Sequence, residues 1–468
     1  MLGDIIKKEI LDNITRPKFL VTFILCLILI LLSFYTGINN YLIALKEHQT
    51  AVELNEKNLE SQSNYATLAG LGTKINKPPT VLSTIVDGLE GDLGRVATVN
   101  IAFDPKPIDS RFNSNPVFAI FGVLDLNFVV KIVLSLFAIL FTYDAIVGEK
   151  EKGTLKLTLS NPVPRDKLIL GKTIGGFLSL MVPFIIPLLI GILILNLYPS
   201  INLKGEDWIR LVLICIVFIL YISIFFTLGL FISSRTSRSS TSFLVLLFTW
   251  VLFVTIIPKV AVMTAGQIYR IPSIHEVNAQ KDAVLQQINR EAQQEVRKFL
   301  NDNPNDGTKE WQTKFRDGIK EIQQKATEKI DNENARIEAN FRGKQTRQRQ
   351  LAINISRISP TSAMSFAVMS LARTGISRHE DFFNAVKAYK PVWTKWANDK
   401  MIDDINFSGQ QTDQKRKLDL SDMPRFSFKE ETLGKSIKRI IPDVTIMIAF
   451  LILFFVLAFI SFLKYDVR

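Results

Sequence analysis

Six apolar runs punctuate an otherwise polar chain, and their lengths decide the fold class. Roughly 17 to 25 residues with few charges are what the hydrocarbon core of a bilayer asks of a helix. Such runs fall at Phe19–Ile38, Leu126–Tyr143, Ile174–Leu197, Ile209–Ile232, Phe243–Val262 and Val444–Leu463. Lys131 and Lys259 sit inside the second and fifth windows, near the end where a long side chain snorkels to the headgroups. The expected fold is mainly α: a polytopic membrane protein with six transmembrane helices and a helical extracytoplasmic domain.

The polar stretches have patterns of their own. Residues 1–18 place Leu2, Ile6, Ile10 and Ile14 four apart, with Lys7, Lys8 and Asp12 elsewhere on the wheel. That reads as an interfacial helix on the inner leaflet, with a plain amphipathic extension as the alternative. The first run is long, follows a polar segment and has no small-x-small site after it, so no cleaved signal peptide is expected. Residues 39–125 form a first extracytoplasmic domain, a continuing helix followed by loops and short strands around Gly70, Gly72, Pro78, Pro79, Gly88, Gly91 and Gly94.

Residues 263–443 read as the helical extracytoplasmic domain with a long helical hairpin. Ser273 and Glu276 make a capping box, after which Val277, Val284, Ile288, Val296 and Phe299 share a face. A turn over 303–307 leads to a longer helix striped by Trp311, Phe315, Ile319, Ile322, Ala326, Ile330, Ile337 and Phe341. Its basic run, Arg342, Lys344, Arg347 and Arg349, is an ordinary solvated face or a contact for anionic headgroups. A short helix, Thr361–Arg373, follows Pro360, and Ser377 with Glu380 opens another, whose Phe382, Phe383, Tyr389, Trp393 and Trp396 read as core packing. Asp403–Asp422 is a linker.

Charge adds the topology. The chain of 468 residues has a net charge of +12 and a positive mean hydropathy of +0.21. Lys7, Lys8, Arg16, Lys18, Lys150, Lys152, Lys156, Arg165, Lys167, Lys172, Arg235, Arg238, Lys464 and Arg468 collect on one side, whereas the short outer loop 198–208 has only Lys204. The positive-inside rule then places 144–173 and 233–242 as cytoplasmic loops and 464–468 as a cytoplasmic tail. Both termini are expected in the cytoplasm and the protein in the cell's inner (plasma) membrane; the basic balance does not point to nucleic acid.

Candidate chemistry is sparse. Cys26 and Cys215 lie inside apolar runs, which argues against disulfide or thiolate metal sites, and His48, His275 and His379 read as scattered surface histidines. Lys131 and Lys259 apart, the spans have no acid or base away from their ends, so the midplane carboxylate of a proton- or sodium-coupled carrier is missing. Gly171-Lys172-Thr173 imitates the tail of a P-loop, but Asp166 stands where the first glycine belongs. No catalytic residue, cofactor or metal is therefore expected on this chain.

The most informative segment is the charged island Tyr143–Lys172 between two apolar runs. Its Gly148-Glu-Lys-Glu-Lys-Gly-Thr-Leu155, Ser160-Asn-Pro-Val-Pro-Arg165 and Leu168-Ile-Leu-Gly-Lys172 resemble the loop between the second and third spans of type-2 ABC exporter permeases. Ser359-Pro-Thr-Ser-Ala363 and the C-terminal Phe462-Leu-Lys-Tyr-Asp-Val-Arg468 are similar to the branch with a large extracytoplasmic insertion before its last span, that of the nitrous oxide reductase maturation permease.

The resemblance implies a permease subunit of an ATP-driven ABC transporter, an exporter. Two such chains would pair as a homodimer in the lipid bilayer, above separate ABC ATPase subunits holding ATP and Mg. It implies ATPase coupling through Glu149, Lys150, Glu151, Lys152, Gly153, Thr154, Leu155, Pro162 and Arg165. The alternating charges would dock, Gly153 would end a helical extension of the second span, and the prolines would redirect the chain. A bare topological anchor, the alternative for the island, needs positive charge but no alternating Glu. The alternative for the whole chain is a scaffold that relays ATPase motion to the extracytoplasmic domain and an envelope partner without moving a substrate.

Overall fold

The computed structural model describes residues 2–105, 107–108, 122–160, 163–304, 308–408 and 418–464. Pro162, turn residues 305–307, linker residues 409–417 and tail residues 465–468 lie outside them. The chain forms two compact units, one of residues 1–255 with 359–468, the other of residues 256–358.

Six helices are long and apolar enough to cross a bilayer: Pro17–Glu60, Leu126–Glu151, Arg165–Asn196, Gly205–Arg235, Ser239–Ile268 and Leu433–Leu463, called spans 1 to 6. The chain therefore has the expected mainly α, polytopic membrane fold. Each helix outruns its apolar window because the flanking sequence also favours helix. Span 1 starts with Pro17 at its first position, where a missing N–H costs nothing, and continues through polar residues to Glu60. Span 4 opens with Asp207 Oδ2 accepting from the Lys204 N–H at 3.0 Å.

Spans 2 and 4 meet at small residues. Gly229 faces Thr142, and a Cβ built on that glycine would fall inside the Thr142 side chain, which is buried and donates to Ala138 O at 2.7 Å. Gly229→Ala is expected to destabilise the unit by about 1–3 kcal/mol through overpacking, read as a lowered thermal midpoint in detergent. An unchanged midpoint would mean that the two helices separate more easily than this contact suggests.

Spans 2 and 5 each contain a π-helical stretch, Val129–Leu134 and Leu252–Ile256. Such stretches disturb the regular ladder and leave carbonyls for other donors. Tyr221 Oη, on buried mid-span 4, donates to Lys131 O at 2.9 Å, and Ser359 Oγ donates to Phe253 O. Trp250 Nε1 donates to Ser135 Oγ at 2.8 Å. Tyr221 Oη also meets Thr361 Oγ1 at 3.1 Å, at the start of the helix Pro360–Leu371. That helix was expected in the domain 263–443, but it packs into the span core through Ala363, Met364, Ala367, Val368 and Leu371. Its composition is that of a buried helix, and its length takes it alongside only half of span 4. The expected domain is thus divided: residues 256–358 form their own unit and 359–443 belong with the spans.

The end of span 4 that begins at Gly205 is locked by Arg210, which is fully buried. Its guanidinium donates to Leu371 O (3.0 Å), Ser436 Oγ (2.9 Å) and Glu431 O (2.9 Å) and pairs with Glu206 at 2.8 Å. Residues 65–108 add a short helix, Tyr65–Leu71, and a three-stranded antiparallel sheet, β1 Thr73–Asn76, β2 Val96–Val99 and β3 Pro107–Ile108, in that order. The sheet packs on the helix Ile376–Ser408, whose Phe382, Phe383, Val386 and Trp393 form a second core with Ile75, Ala97 and Val99.

The aromatic row is therefore core packing, drawn from two polar stretches far apart in sequence. The helix starts at Ile376, so Ser377 lies within it rather than capping it. Arg378 joins the two stretches: it pairs with Glu90 at 2.9 Å and Glu430 at 2.6 Å and donates to Pro78 O at 2.8 Å, with Lys77 at 3.5 Å from Glu90. His379, expected at the surface, is half-buried beside this cluster. Burial, reinforced by Lys77, pushes its imidazole down to about 4.

In the second unit, helices Ile274–Asp302 and Lys309–Ser356 pack as an antiparallel hairpin. Ser273 Oγ accepts from the Glu276 N–H at 3.2 Å, and Gly318 admits the Phe299 ring. The 48 residues of the second helix make a rod about 70 Å long at 1.5 Å per residue.

Candidate functional site

The island becomes a braced elbow. Span 2 breaks over residues 143–146 and resumes as helix over Val147–Glu151. The break is held from span 4: the buried Ser233 Oγ accepts from the N–H of both Ile146 and Val147 at 3.1 Å. Asp144, within the break, accepts from Lys18 Nζ at 3.1 Å and lies 3.6 Å from Arg16, so the start of span 1 is tied to the same point.

The alternating charges of the resumed helix turn inward to different elements. Glu149 Oε1 meets Lys172 Nζ of span 3 at 2.6 Å, and Lys172 also meets Glu9 at 2.8 Å, on the helix Leu2–Ile14. Lys150 Nζ donates to Ser234 O and Thr236 O at the end of span 4. Glu151 accepts from the Ser239 N–H at 2.9 Å, where its carboxylate faces the positive N-terminus of span 5. Lys172 is nearly excluded from solvent, at 4% side-chain exposure, so its two carboxylates are what make its burial tolerable.

Beyond the brace the chain turns away. Gly153 has φ 74°, a left-handed conformation that glycine adopts without strain, and the helix Thr154–Ser160 begins immediately after it. Leu155 is buried against the span core, which seats this helix, while Lys152, Thr154, Lys156 and Leu157 are exposed. Pro164 precedes span 3, and Arg165 Nη1 donates to Leu463 O at 2.9 Å, joining the start of span 3 to the end of span 6. Next to the brace, Lys150, Arg235, Thr236, Ser461 and Lys464 line a basic cleft of 410 Å³ suited to an acidic group. Among the described residues, no group of three or more His, Cys, Asp or Glu side chains is placed to hold a metal.

Glu149, Lys150 and Glu151 are thus brought together by being bound from three sides, whereas Lys152 and Thr154 face out. Sequence reasoning missed Glu9, Asp144, Ser233 and Ser239, and took Lys172 for a topology charge and a false P-loop tail. One signal was available: Gly171 and Gly175, four apart, make a smooth strip on span 3 against Ile5, Ile6 and Glu9. The N-terminal helix accordingly lies lengthwise on span 3, a contact absent from the expectation of a helix on the inner leaflet.

Residues 4–467 match the sequence pattern of the ABC-2 family transporter proteins. The chain belongs to this family. ABC-2 membership covers both units described above. Two relatives share shorter segments, each carrying the name "Probable ABC transporter permease protein NosY". The protein of Pseudomonas aeruginosa is 47% identical over 58 residues, 12% of this chain and 21% of the relative. That of Stutzerimonas stutzeri is 47% identical over 53 residues, 11% of this chain and 19% of the relative. The chain thus spans about a fifth of the length of the curated relatives it matches.

Proposed function

We propose that this ABC-2 protein is the membrane permease subunit of an ATP-driven exporter. The elbow faces the cytoplasm with both termini, in the cell's inner membrane, and a separate ATPase carrying ATP and Mg docks beneath it. Two copies of the chain form the pathway. The observation that carries this reading is the brace: a push on the helix Thr154–Ser160 reaches span 3 through Lys172, span 4 through Ser233, and span 5 through Ser239. Because Glu149, Lys150 and Glu151 are committed to this brace, the docking contacts fall to the exposed Lys152, Lys156 and Leu157, with the basic cleft beside them.

Leu157, 70% exposed, is the apolar side chain best placed to enter a pocket on the ATPase. Leu157→Glu is expected to reduce copurifying ATPase severalfold while leaving the thermal midpoint of the permease unchanged. Undiminished copurification and ATP-stimulated transport would remove this helix from the docking site, and a complex without any ATP-binding subunit would overturn the reading.

The rod-like hairpin of the second unit favours a second reading, a relay that passes ATPase motion across the membrane without a substrate. Transport of a cargo by the reconstituted complex separates the two.

A further inference from the structure

Spans 3, 4 and 6 enclose a lateral groove of 390 Å³ that the coupling elbow does not use. Its walls are Ile174, Phe177 and Leu178 of span 3, Phe226 of span 4, and Leu451 and Phe455 of span 6, with the Phe177 and Phe226 rings edge to face at 5.6 Å. The three hydroxyls that line it are turned back onto their own helices. Thr173 donates to Ile169 O (2.8 Å), Ser223 to Ile219 O (2.7 Å) and Thr227 to Ser223 O (2.9 Å), so the groove offers a ligand hydrocarbon contact. The rim residues Leu178 and Ile452 are exposed, and all the lining residues belong to spans, so the groove opens where the bilayer is.

Charge supplies the second part of the argument. Lys167 is exposed and precedes Ile174 and Leu178 by seven and eleven residues, which puts it on the same stripe of span 3 two turns nearer the elbow. A cation at one end of an apolar slot matches a molecule with an anionic head and a hydrocarbon tail. We infer that this groove binds one acyl tail of an anionic glycerophospholipid, with Lys167 meeting the phosphate. Its volume falls within the range of small-ligand pockets, about 300–1,000 Å³. A tail seated there gains roughly 0.8 kcal/mol for each methylene withdrawn from water, but much less when it comes from the bilayer, so the headgroup contact must confer the preference.

The test uses the full chain in nanodiscs doped with phosphatidylglycerol or phosphatidylcholine carrying the same photoactivatable diazirine tail, with adducts mapped by mass spectrometry. The expected result is labelling concentrated on groove residues and severalfold stronger for phosphatidylglycerol. Leu178→Trp and Ile452→Trp, at rim positions on two different helices, should each remove most of that label. Leu193→Trp, exposed on span 3 outside the groove, should leave it intact. Lys167→Glu should bring the phosphatidylglycerol label down to the phosphatidylcholine level. Labels spread evenly over the apolar surface, equal labelling by the two lipids, or labelling that survives both tryptophans in protein that remains monodisperse would overturn the inference.

Discussion

Lys172→Met is expected to be the most damaging single substitution at the elbow. It leaves Glu9 and Glu149 facing one another in a nearly dry space with no cation between them. Removing one partner of a buried ion pair costs about 3–5 kcal/mol, and here two carboxylates lose the same partner. Partial exposure of Glu149, 29%, puts the expectation toward the lower end of that range. The thermal midpoint in detergent should fall sharply, and the N-terminal helix should become susceptible to protease because its tie to span 3 is gone. A variant as stable as the parent would mean that the carboxylates are neutralised by protons or reach water. Glu149→Lys should do comparable harm by setting two ammonium groups against one another. Charge reversal at Glu149 is therefore a poor probe of ATPase docking: lost copurification would report a damaged permease.

Arg378→Met is the second large effect, at the junction of the two polar stretches. Arg378 and Glu90 are each about 3% exposed, and the substitution strands Glu90 and Glu430 without the guanidinium that serves both. A loss of about 3–5 kcal/mol is expected, with early proteolysis in residues 65–105 while the spans stay intact. The pH dependence carries its own sign. Burial alone would raise the Glu430 carboxyl, but the hydrogen bonds and charge of Arg378 outweigh it and hold the group below its ordinary 4.5. A carboxylate depressed in the folded state stabilises above its unfolded value and loses that contribution as pH falls through the folded one. The gap in thermal midpoint between parent and variant should therefore be widest near neutrality and narrow as the pH drops below about 4.5. His379 titrates in both proteins and so does not produce the narrowing. A gap that is constant from pH 7 to pH 4 would show that Arg378 acts by packing rather than by charge.

The legible parts of this fold were those written in local period and length. Six apolar windows became six long helices, Gly153 ended a helical extension of span 2, and the stripes of Val277 and Trp311 became a hairpin. The buried ionic junctions were not legible, because Lys172 meets Glu9 and Glu149 across 163 and 23 residues of sequence. A lysine count gives the side of the membrane, but the direction in which each lysine points depends on which helices converge there. The same reason explains the helix Pro360–Leu371. Its composition suits a short helix in a polar domain equally well, and only Tyr221 and Arg210, on another span, reveal that it is embedded.

The π-helical stretches of spans 2 and 5 set a limit on what hydropathy can say about this protein. A π turn accommodates one residue more than the α-helical path around it, and each residue of an α-helix advances the facing direction by about 100°. Deleting one residue between Val129 and Leu134 would shorten the apolar run trivially and still leave a helix long enough to insert. It would also rotate everything on one side of the deletion relative to the other, taking Ser135 and Thr142 out of phase with Trp250 and Gly229. Two spans of this chain are thus phased as well as measured, so a substitute helix of equal length and greasiness would enter the membrane and arrive facing the wrong neighbours.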